Sequence, residues 1–281
     1  MKLKISILVM IMAFFQTAFS AGILIKRNIS YSAKQTSGTE NLLDVYYPTA
    51  DGQRRDVMVF IHGGSWNSGK KETYWWLGRN MARKNVITVI INYSLSPLYQ
   101  YEKMALDCSE ALKWVNNNIG NYGGDPARIF VMGHSAGGHL AALVNTDPRF
   151  FRQQNIENPI RAVILNDVFG LDMFEYLNAA EDNDQTNSFL NTFSKDKEIW
   201  KTGSPLNYIE NVKNPYLIFV GERTFPSIQI QSERLRKQLL QLNKSVDLKI
   251  IPRKKHIGMI AQMVFKRNLL YNFILDFMKR Y

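Results

Sequence analysis

Cysteine is almost absent from this sequence: Cys108 is the only one. A single thiol makes no intrachain bridge, so the fold does not rest on disulfides, and thiolate metal clusters are excluded as well. Histidine is scarce too, with His62, His134, His139 and His256 the full complement. No grouping of His, Cys and carboxylates has metal-ligand spacing, and neither a metal nor an organic cofactor is expected. Internal repeats and low-complexity tracts are missing, which excludes a solenoid array. Acidic residues are outnumbered, 24 against 35 Lys and Arg, for a net charge of +11. The basic residues are scattered, apart from small groups at Arg253, Lys254 and Lys255 and near Arg234 and Lys237, and no nucleic-acid motif accompanies them. The charge therefore reads as a solvated surface, with no nucleic-acid partner expected.

Long apolar runs are also missing. The uncharged stretch Ile5 to Phe15 is too short for a comfortable membrane span. It follows Lys2 and Lys4 and precedes Ala18 and Ser20, small residues at −3 and −1 of a cleavage point before Ala21. That is the layout of a secretory signal peptide. Residues 1–20 are expected to be removed on export to the periplasm or the medium, leaving no stable membrane insertion. The alternative is an uncleaved N-terminal anchor. No cysteine follows the run to accept a lipid.

What is present is a globular chain, 46% hydrophobic and 21% charged, with residues 21–281 of a length suited to one domain. Leu42 to Tyr47 reads as an early strand stopped by Pro48. Asp56 to His62 and Val86 to Tyr93 are unbroken apolar runs of the kind that a strand buried on both faces requires. Arg128 to Gly133, Arg161 to Asn166, Pro215 to Val220 and Ser245 to Ile251 add four more strands. Helical patterns fall at Tyr74 to Lys84, Met104 to Asn118, Ala136 to Asn145, Ser227 to Leu242 and Val264 to Tyr281. Cys108 sits among Ala105, Leu112 and Val115 in the second of these and is expected to be buried and inert. Strands alternating with helices predict an α/β fold, a mostly parallel sheet covered on both faces. Residues 171–201, acidic, aromatic and Asn-rich, interrupt that rhythm and form a candidate cap.

Gly133-His134-Ser135-Ala136-Gly137 fills the pattern G-x-S-x-G, between the apolar strand Ile129 to Met132 and an apolar helix. A strand-to-helix turn this sharp crowds the backbone, which is why it takes glycines, and it lifts the serine hydroxyl above the sheet at a helix N-terminus. Ser135 is thus a candidate nucleophile. An earlier strand ends in His62-Gly63-Gly64-Ser65-Trp66. Acyl transfer builds negative charge on a carbonyl oxygen, and paired glycines let backbone N–H groups approach it. Gly63, Gly64 and Ala136 are the candidate oxyanion donors. Among the histidines, His62 belongs to the glycine segment and braces it, His134 lies inside the turn, and His139 lies one helical turn past the serine. His256 alone follows the last strand, and it is the candidate general base.

At these residues the chain resembles the α/β-hydrolase superfamily, in the esterase/lipase branch near hormone-sensitive lipase and kynurenine formamidase. The matching segments are His62 to Trp66, Asn92 to Pro97, Gly123 to Arg128, Gly133 to His139 and Ser204-Pro205, so the likeness spans roughly residues 40–280. It implies an α/β-hydrolase fold and a serine, histidine and acid triad. Relatives place the acid after the seventh strand in a Gly-Glu-x-Asp pattern, whereas this chain reads Gly221-Glu222-Arg223-Thr224. A threonine hydrogen-bonds a histidine but does not stabilise an imidazolium by charge. Asp167, at the end of the sixth strand, is the leading candidate acid; Glu222 and Asp172 are the alternatives, and a site without an acid is the fourth. Asp172 also resembles a structural aspartate of the relatives.

The expected activity is that of a serine carboxylesterase, cleaving small or sugar-linked esters through an acyl-enzyme. Amide hydrolysis, as by an arylformamidase, is the alternative reaction. A catalytically dead binding module on the same fold is the alternative from another class, suggested only by the missing aspartate at 224. The expected partner is a small-molecule ester; oligomeric state is open.

Overall fold

A computed structural model of the protein describes residues 22–32, 41–49 and 52–281. The expected leader, residues 1–20, lies outside the described residues. Eight strands make one sheet: β1 (Ile23–Ser30), β2 (Leu42–Pro48), β3 (Arg55–Ile61), β4 (Ile87–Ile91), β5 (Gly124–His134), β6 (Ile160–Asn166), β7 (Tyr216–Gly221) and β8 (Val246–Ile251). Their order is β1-β2-β4-β3-β5-β6-β7-β8. β1 and β2 pair antiparallel, as do β2 and β4, and every pairing from β4 to β8 is parallel.

The helices are α1 (Trp75–Ala82), α2 (Tyr101–Asn118), α3 (Ala136–Thr146), α4 (Arg149–Gln153), α5 (Met173–Ala179), α6 (Asp184–Phe193), α7 (Lys197–Thr202), α8 (Pro226–Gln241), α9 (His256–Ala261) and α10 (Leu269–Arg280). The period-2 alternation of the strands divides them between two apolar cores. Val57, Val59 and Ile61 of β3 and Ile129 and Val131 of β5 face α2, α3 and α8 residues such as Leu112, Leu140 and Leu235. Met58 and Phe60 of β3 and Phe130 and Met132 of β5 face the opposite way, toward Leu77, Met259 and Ile274 of α1, α9 and α10. Burial on both faces explains why these strands carry unbroken apolar runs. No helix among the described residues is long and apolar enough to cross a membrane.

The observed elements follow the expected alternation, with three differences. β1, α4 and α9 have no counterpart in the sequence reading. β5 begins earlier than expected, at Gly124, where Arg55 pairs with it. The last helix starts at Leu269 rather than Val264, because Gln262–Val264 is a 3₁₀ turn and Asn268 caps a new helix by accepting from Leu270 N–H at 3.0 Å. The expected cap region resolves into α5, α6 and α7, each opened by an Asx cap: Asp172, Asn183 and Asp196. Cys108 is buried in α2, and burial pushes its thiol well above the usual range.

Candidate active site

The site lies at the C-terminal edge of the parallel strands, where β5, β6, β7 and β8 each deliver a turn. His134 at the end of β5 pairs with Asn166 at the end of β6. The next residues, Ser135 and Asp167, therefore leave adjacent strands at the same height. Both have left-handed backbones, φ 53° at Ser135 and 52° at Asp167, a conformation that non-glycine residues rarely adopt. Two hydrogen bonds weave the exits together: Ser135 N–H donates to Asn166 O at 3.3 Å, and Asp167 N–H donates to Phe219 O of β7 at 2.8 Å.

Close approach, rather than flexibility, dictates the glycines of the serine turn. A Cβ at Gly133 would lie 2.2 Å from Gly137 O, and one at Gly137 would lie 2.1 Å from Ile61 O. No side chain fits either position. The turn can be this tight only because both flanking residues lack one, and Ser135 is thereby lifted out of β5 to stand before the N-terminus of α3.

His256 opens α9, just after the turn that leaves β8. Its Nδ1 lies 2.7 Å from Asp167 Oδ2 and its Nε2 lies 2.8 Å from Ser135 Oγ. An ionised carboxylate only accepts, so Nδ1 carries the proton and a neutral ring's Nε2 accepts from the serine hydroxyl. The three side chains form one hydrogen-bonded chain running from β6 to β5 through α9. Asp167 is fully buried, and the His256 side chain is 14% exposed, so the chain is shielded from solvent at its acid end.

Asp167 is further held by Gly221 N–H, 2.7 Å from Oδ1, and by Thr224 Oγ1, 2.5 Å from Oδ2. Glu222 is turned elsewhere: it is exposed and accepts from Arg253 N–H at 2.6 Å. Asp172 accepts from Glu175 N–H at 2.8 Å, capping α5, and pairs with Arg234 at 3.1 Å. Of the three candidate acids, only Asp167 is hydrogen-bonded to His256.

The glycine segment after β3 folds over the same edge. Gly63 packs so tightly that a Cβ there would lie 2.8 Å from His134 O and 3.2 Å from Ser135 Cβ. Ser65 and Trp66 follow with φ 50° and 60°. This strained loop is pinned from several sides. Trp66 is buried, and its Nε1–H donates to His139 Nδ1 at 3.3 Å while the other nitrogen of that ring donates to Gly203 O at 2.7 Å. Phe189 and Phe193 of the cap meet the Trp66 ring edge to face at 5.5 and 4.9 Å, and Asn67 donates to Ser188 Oγ at 2.8 Å. The cap thus packs directly on the segment bearing Gly63 and Gly64. Ala136, the first residue of α3, has no intrahelical acceptor for its N–H and follows the serine directly, while Gly63 packs against the serine from the other loop.

Three histidines stay neutral. Burial holds His62 and His139 down to about 4 and His134 down to about 3. His62 donates from Nδ1 to Gly63 O at 2.8 Å and stacks on Tyr93, bracing the loop. His134 stacks on His256 at 4.9 Å, and Phe225 packs against the His256 ring at 5.3 Å. The sequence reading missed four contributors: Thr224 as a partner of Asp167, His134 and Phe225 as walls for His256, and the cap aromatics around Trp66. A cavity of about 440 Å³ lies between α8 and the cap, lined in part by Tyr176, Ser227 and Ile230, and no triad residue lines it.

Sheet order, strand exits and the turn at Ser135 together define an α/β-hydrolase fold. Residues 43–239 match the BD-FAE family, and the chain belongs to it, within the esterase/lipase branch of the superfamily. Esterase LipQ of Mycobacterium tuberculosis is 33% identical over 199 residues, covering 66% of this chain and 46% of LipQ. Isoprenylcysteine alpha-carbonyl methylesterase ICME of Arabidopsis thaliana is 36% identical over 118 residues, 42% of this chain and 27% of that protein. The chain spans less than half the length of these curated relatives. Among solved structures, esterase B of Lactobacillus rhamnosis superposes with a TM-score of 0.78 at 20% identity, covering 92% of this chain and 85% of that one. A truncated carbohydrate esterase from gut microbiota gives 0.78 at 19% identity, over 93% and 96%. These structures share the fold.

Proposed function

We propose that this protein is a serine hydrolase that cleaves carboxylic esters through an acyl-enzyme. The observation that carries the reading is the continuous chain Asp167–His256–Ser135, with bonds of 2.7 and 2.8 Å, ending at a strained serine before a helix N-terminus. His256 Nε2 takes the Ser135 proton as Oγ bonds to the ester carbonyl carbon. Gly63, Gly64 and Ala136 N–H groups receive the developing oxyanion. The imidazolium, stabilised by Asp167, then returns its proton to the departing alcohol. Water attacks the acyl-serine in the same way, giving its proton to His256, and the acid leaves as Ser135 is regenerated.

The substrates we infer are small or sugar-linked esters. The solved structures that share the fold include the gut carbohydrate esterase and a bifunctional GH43-CE protein of Bacteroides eggerthii. We further propose that the protein is exported, on the strength of Lys2, Lys4, the apolar run and Ala18-Phe19-Ser20.

Fluorophosphonate labelling followed by peptide mass spectrometry tests the mechanism, with the adduct expected on Ser135. An unlabelled protein would be a binding module rather than an enzyme. Side-by-side turnover of p-nitrophenyl acetate, acetylated sugars and N-formylkynurenine separates ester from amide cleavage, with the esters expected to win. The mature exported protein should begin at Ala21, and a chain retaining Ile5 to Phe15 would make it membrane-tethered instead.

A further inference from the structure

Asp167 Oδ2 serves two donors at once. His256 Nδ1 lies 2.7 Å away and Thr224 Oγ1 lies 2.5 Å away, while Oδ1 is taken up by Gly221 N–H at 2.7 Å. The carboxylate is fully buried, so each of these bonds acts in a low-dielectric setting, where its electrostatic effect is largest. Opposite an ionised carboxylate a hydroxyl has only one role, that of donor. We propose that Thr224 is a positioning residue: its hydroxyl fixes the rotamer of Asp167 and moderates how strongly that carboxylate holds a proton on His256. This rests on the hydrolase reading above for its consequence in catalysis, though not for its effect on the imidazole.

Thr224 is itself held in place. Its N–H donates to Gly221 O at 3.2 Å, and neighbouring Arg223 N–H donates to Lys254 O at 2.9 Å, tying the turn after β7 to the turn that carries His256. Phe225, the next residue, packs on the His256 ring. The hydroxyl is therefore presented to Asp167 by a turn braced from both sides. Donation from Thr224 disperses part of the negative charge on Oδ2, the same oxygen that faces His256. A carboxylate relieved of charge in this way pulls less strongly on the Nδ1 proton and stabilises the imidazolium less. Withdrawing the hydroxyl does the reverse, and it also frees the carboxylate to rotate.

The other titratable or charged groups around the imidazole are few. Ser135 Oγ meets Nε2. His134 stacks on the ring, with its Nε2 3.3 Å from the His256 backbone oxygen. Glu222 and Arg223 lie on the turn after β7, and Arg253, Lys254 and Lys255 on the turn before α9. None of these five has a side-chain hydrogen bond to the ring among the described residues. Among the described residues, Thr224 supplies the one hydroxyl hydrogen-bonded to Asp167.

The test compares wild type with T224V, which keeps the shape, and T224S, which keeps the hydroxyl. Imidazole titration followed by ¹H–¹⁵N NMR reads the effect without requiring turnover. The His256 signal is assigned by its loss in the His256→Gln variant. T224V is expected to move that midpoint up by about half a pH unit, with T224S close to wild type. The acid limb of kcat/KM should move with it, and kcat should fall about tenfold with KM little changed. An unmoved midpoint in T224V overturns the proposal, even if kcat falls, because a loss of packing alone explains such a fall. A moved midpoint in a protein whose wild type neither turns over esters nor binds fluorophosphonate supports the role of Thr224 and sinks the hydrolase reading instead.

Discussion

Ser135 and Asp167 leave neighbouring strands at the same height and with nearly the same left-handed backbone, yet their corners are built in different ways. The serine corner is local. Five consecutive residues make it, packed against the end of β3, and its glycines are demanded by contacts under 2.3 Å from a would-be Cβ to the backbone oxygens of Gly137 and Ile61. The aspartate corner is tertiary. It needs Asn166 from β6, Gly221 and Thr224 from the turn after β7, and His256 from the turn after β8. The glycines of the serine corner admit no side chain, because its geometry is set by backbone packing. A tertiary corner holds its carboxylate by side-chain hydrogen bonds, and a carboxylate projecting from another strand end can meet the same imidazole nitrogen. That difference accounts for a complete G-x-S-x-G beside a threonine at the place where the resemblance implies an aspartate.

The sharpest way to test the comparison is to remove the chemistry of the serine corner without disturbing its backbone. Ser135→Ala keeps a small residue in the turn and should leave the unfolding temperature within a few degrees of wild type. Turnover of p-nitrophenyl acetate should drop at least 10³-fold, since a triad nucleophile acts as a unit with its base. Retention of several per cent of activity would show that another group attacks the ester.

Asp167→Asn makes the matching change at the tertiary corner. It preserves shape and removes the charge that stabilises the imidazolium. Loss of the acid in serine proteases costs about 10⁴-fold in kcat, so a fall of about 10²- to 10⁴-fold is expected here. Full activity in this variant would place the functional acid elsewhere and dissolve the comparison.

A smaller effect, on stability, follows from what lies behind each corner. The serine side carries three buried imidazoles, His62, His134 and His139, whereas the aspartate side carries none. Their pKa values are depressed to about 4, 3 and 4, below the ordinary value near 6.5. Below that value the unfolded chain binds protons that the native state refuses. Their contribution is therefore fully present above about pH 6.5 and is lost as pH falls toward 4. Each histidine should subtract about 2 kcal/mol at pH 5. Thermal unfolding at pH 7 and pH 5 checks this, with a lower midpoint expected at pH 5. A midpoint constant down to pH 4.5 would mean that these rings are hydrated.

The contrast between local and tertiary encoding also sorts what the sequence revealed. The parallel strands were legible because burial on both faces writes unbroken apolar runs such as Asp56 to His62. β1 was not, since its residues alternate between exposed and half-buried along an antiparallel edge and include Lys26 and Arg27. The cap was visible as a change of composition, but its helices are short and rely on Asx caps and on packing against Trp66, which no periodicity announces. Ser135 and the glycine segment were legible as motifs. His256 followed from having few histidines to choose between and from its place after the last strand. The choice between Asp167 and Glu222 was beyond spacing, because both end strands at the same edge and only the direction of the side chain separates them. The partnership of Thr224 with Asp167 was hidden for the same reason.

The smallest expected effect is also the one that bears most directly on that ambiguity. Glu222 stands two residues from Thr224, at the strand end where relatives place their acid, and on position alone it competes with Asp167. It is exposed, and its carboxylate accepts from Arg253 N–H at 2.6 Å, on the turn that precedes His256. A glutamine retains an oxygen able to accept that bond, so the turn should keep its shape. Removing an exposed charge screened by solvent changes a nearby ionisation little, within about 0.5 kcal/mol. Glu222→Gln should therefore keep kcat/KM within about threefold of wild type at neutral pH. The informative measurement is the pair of variants in the same assay. If Glu222→Gln is as damaged as Asp167→Asn, the two carboxylates share the work and the corner is not defined by Asp167 alone. If Glu222→Gln is inactive while Asp167→Asn is active, the acid lies after β7 as in the relatives, and the hydrogen bonds around Asp167 serve only to hold two strand ends together.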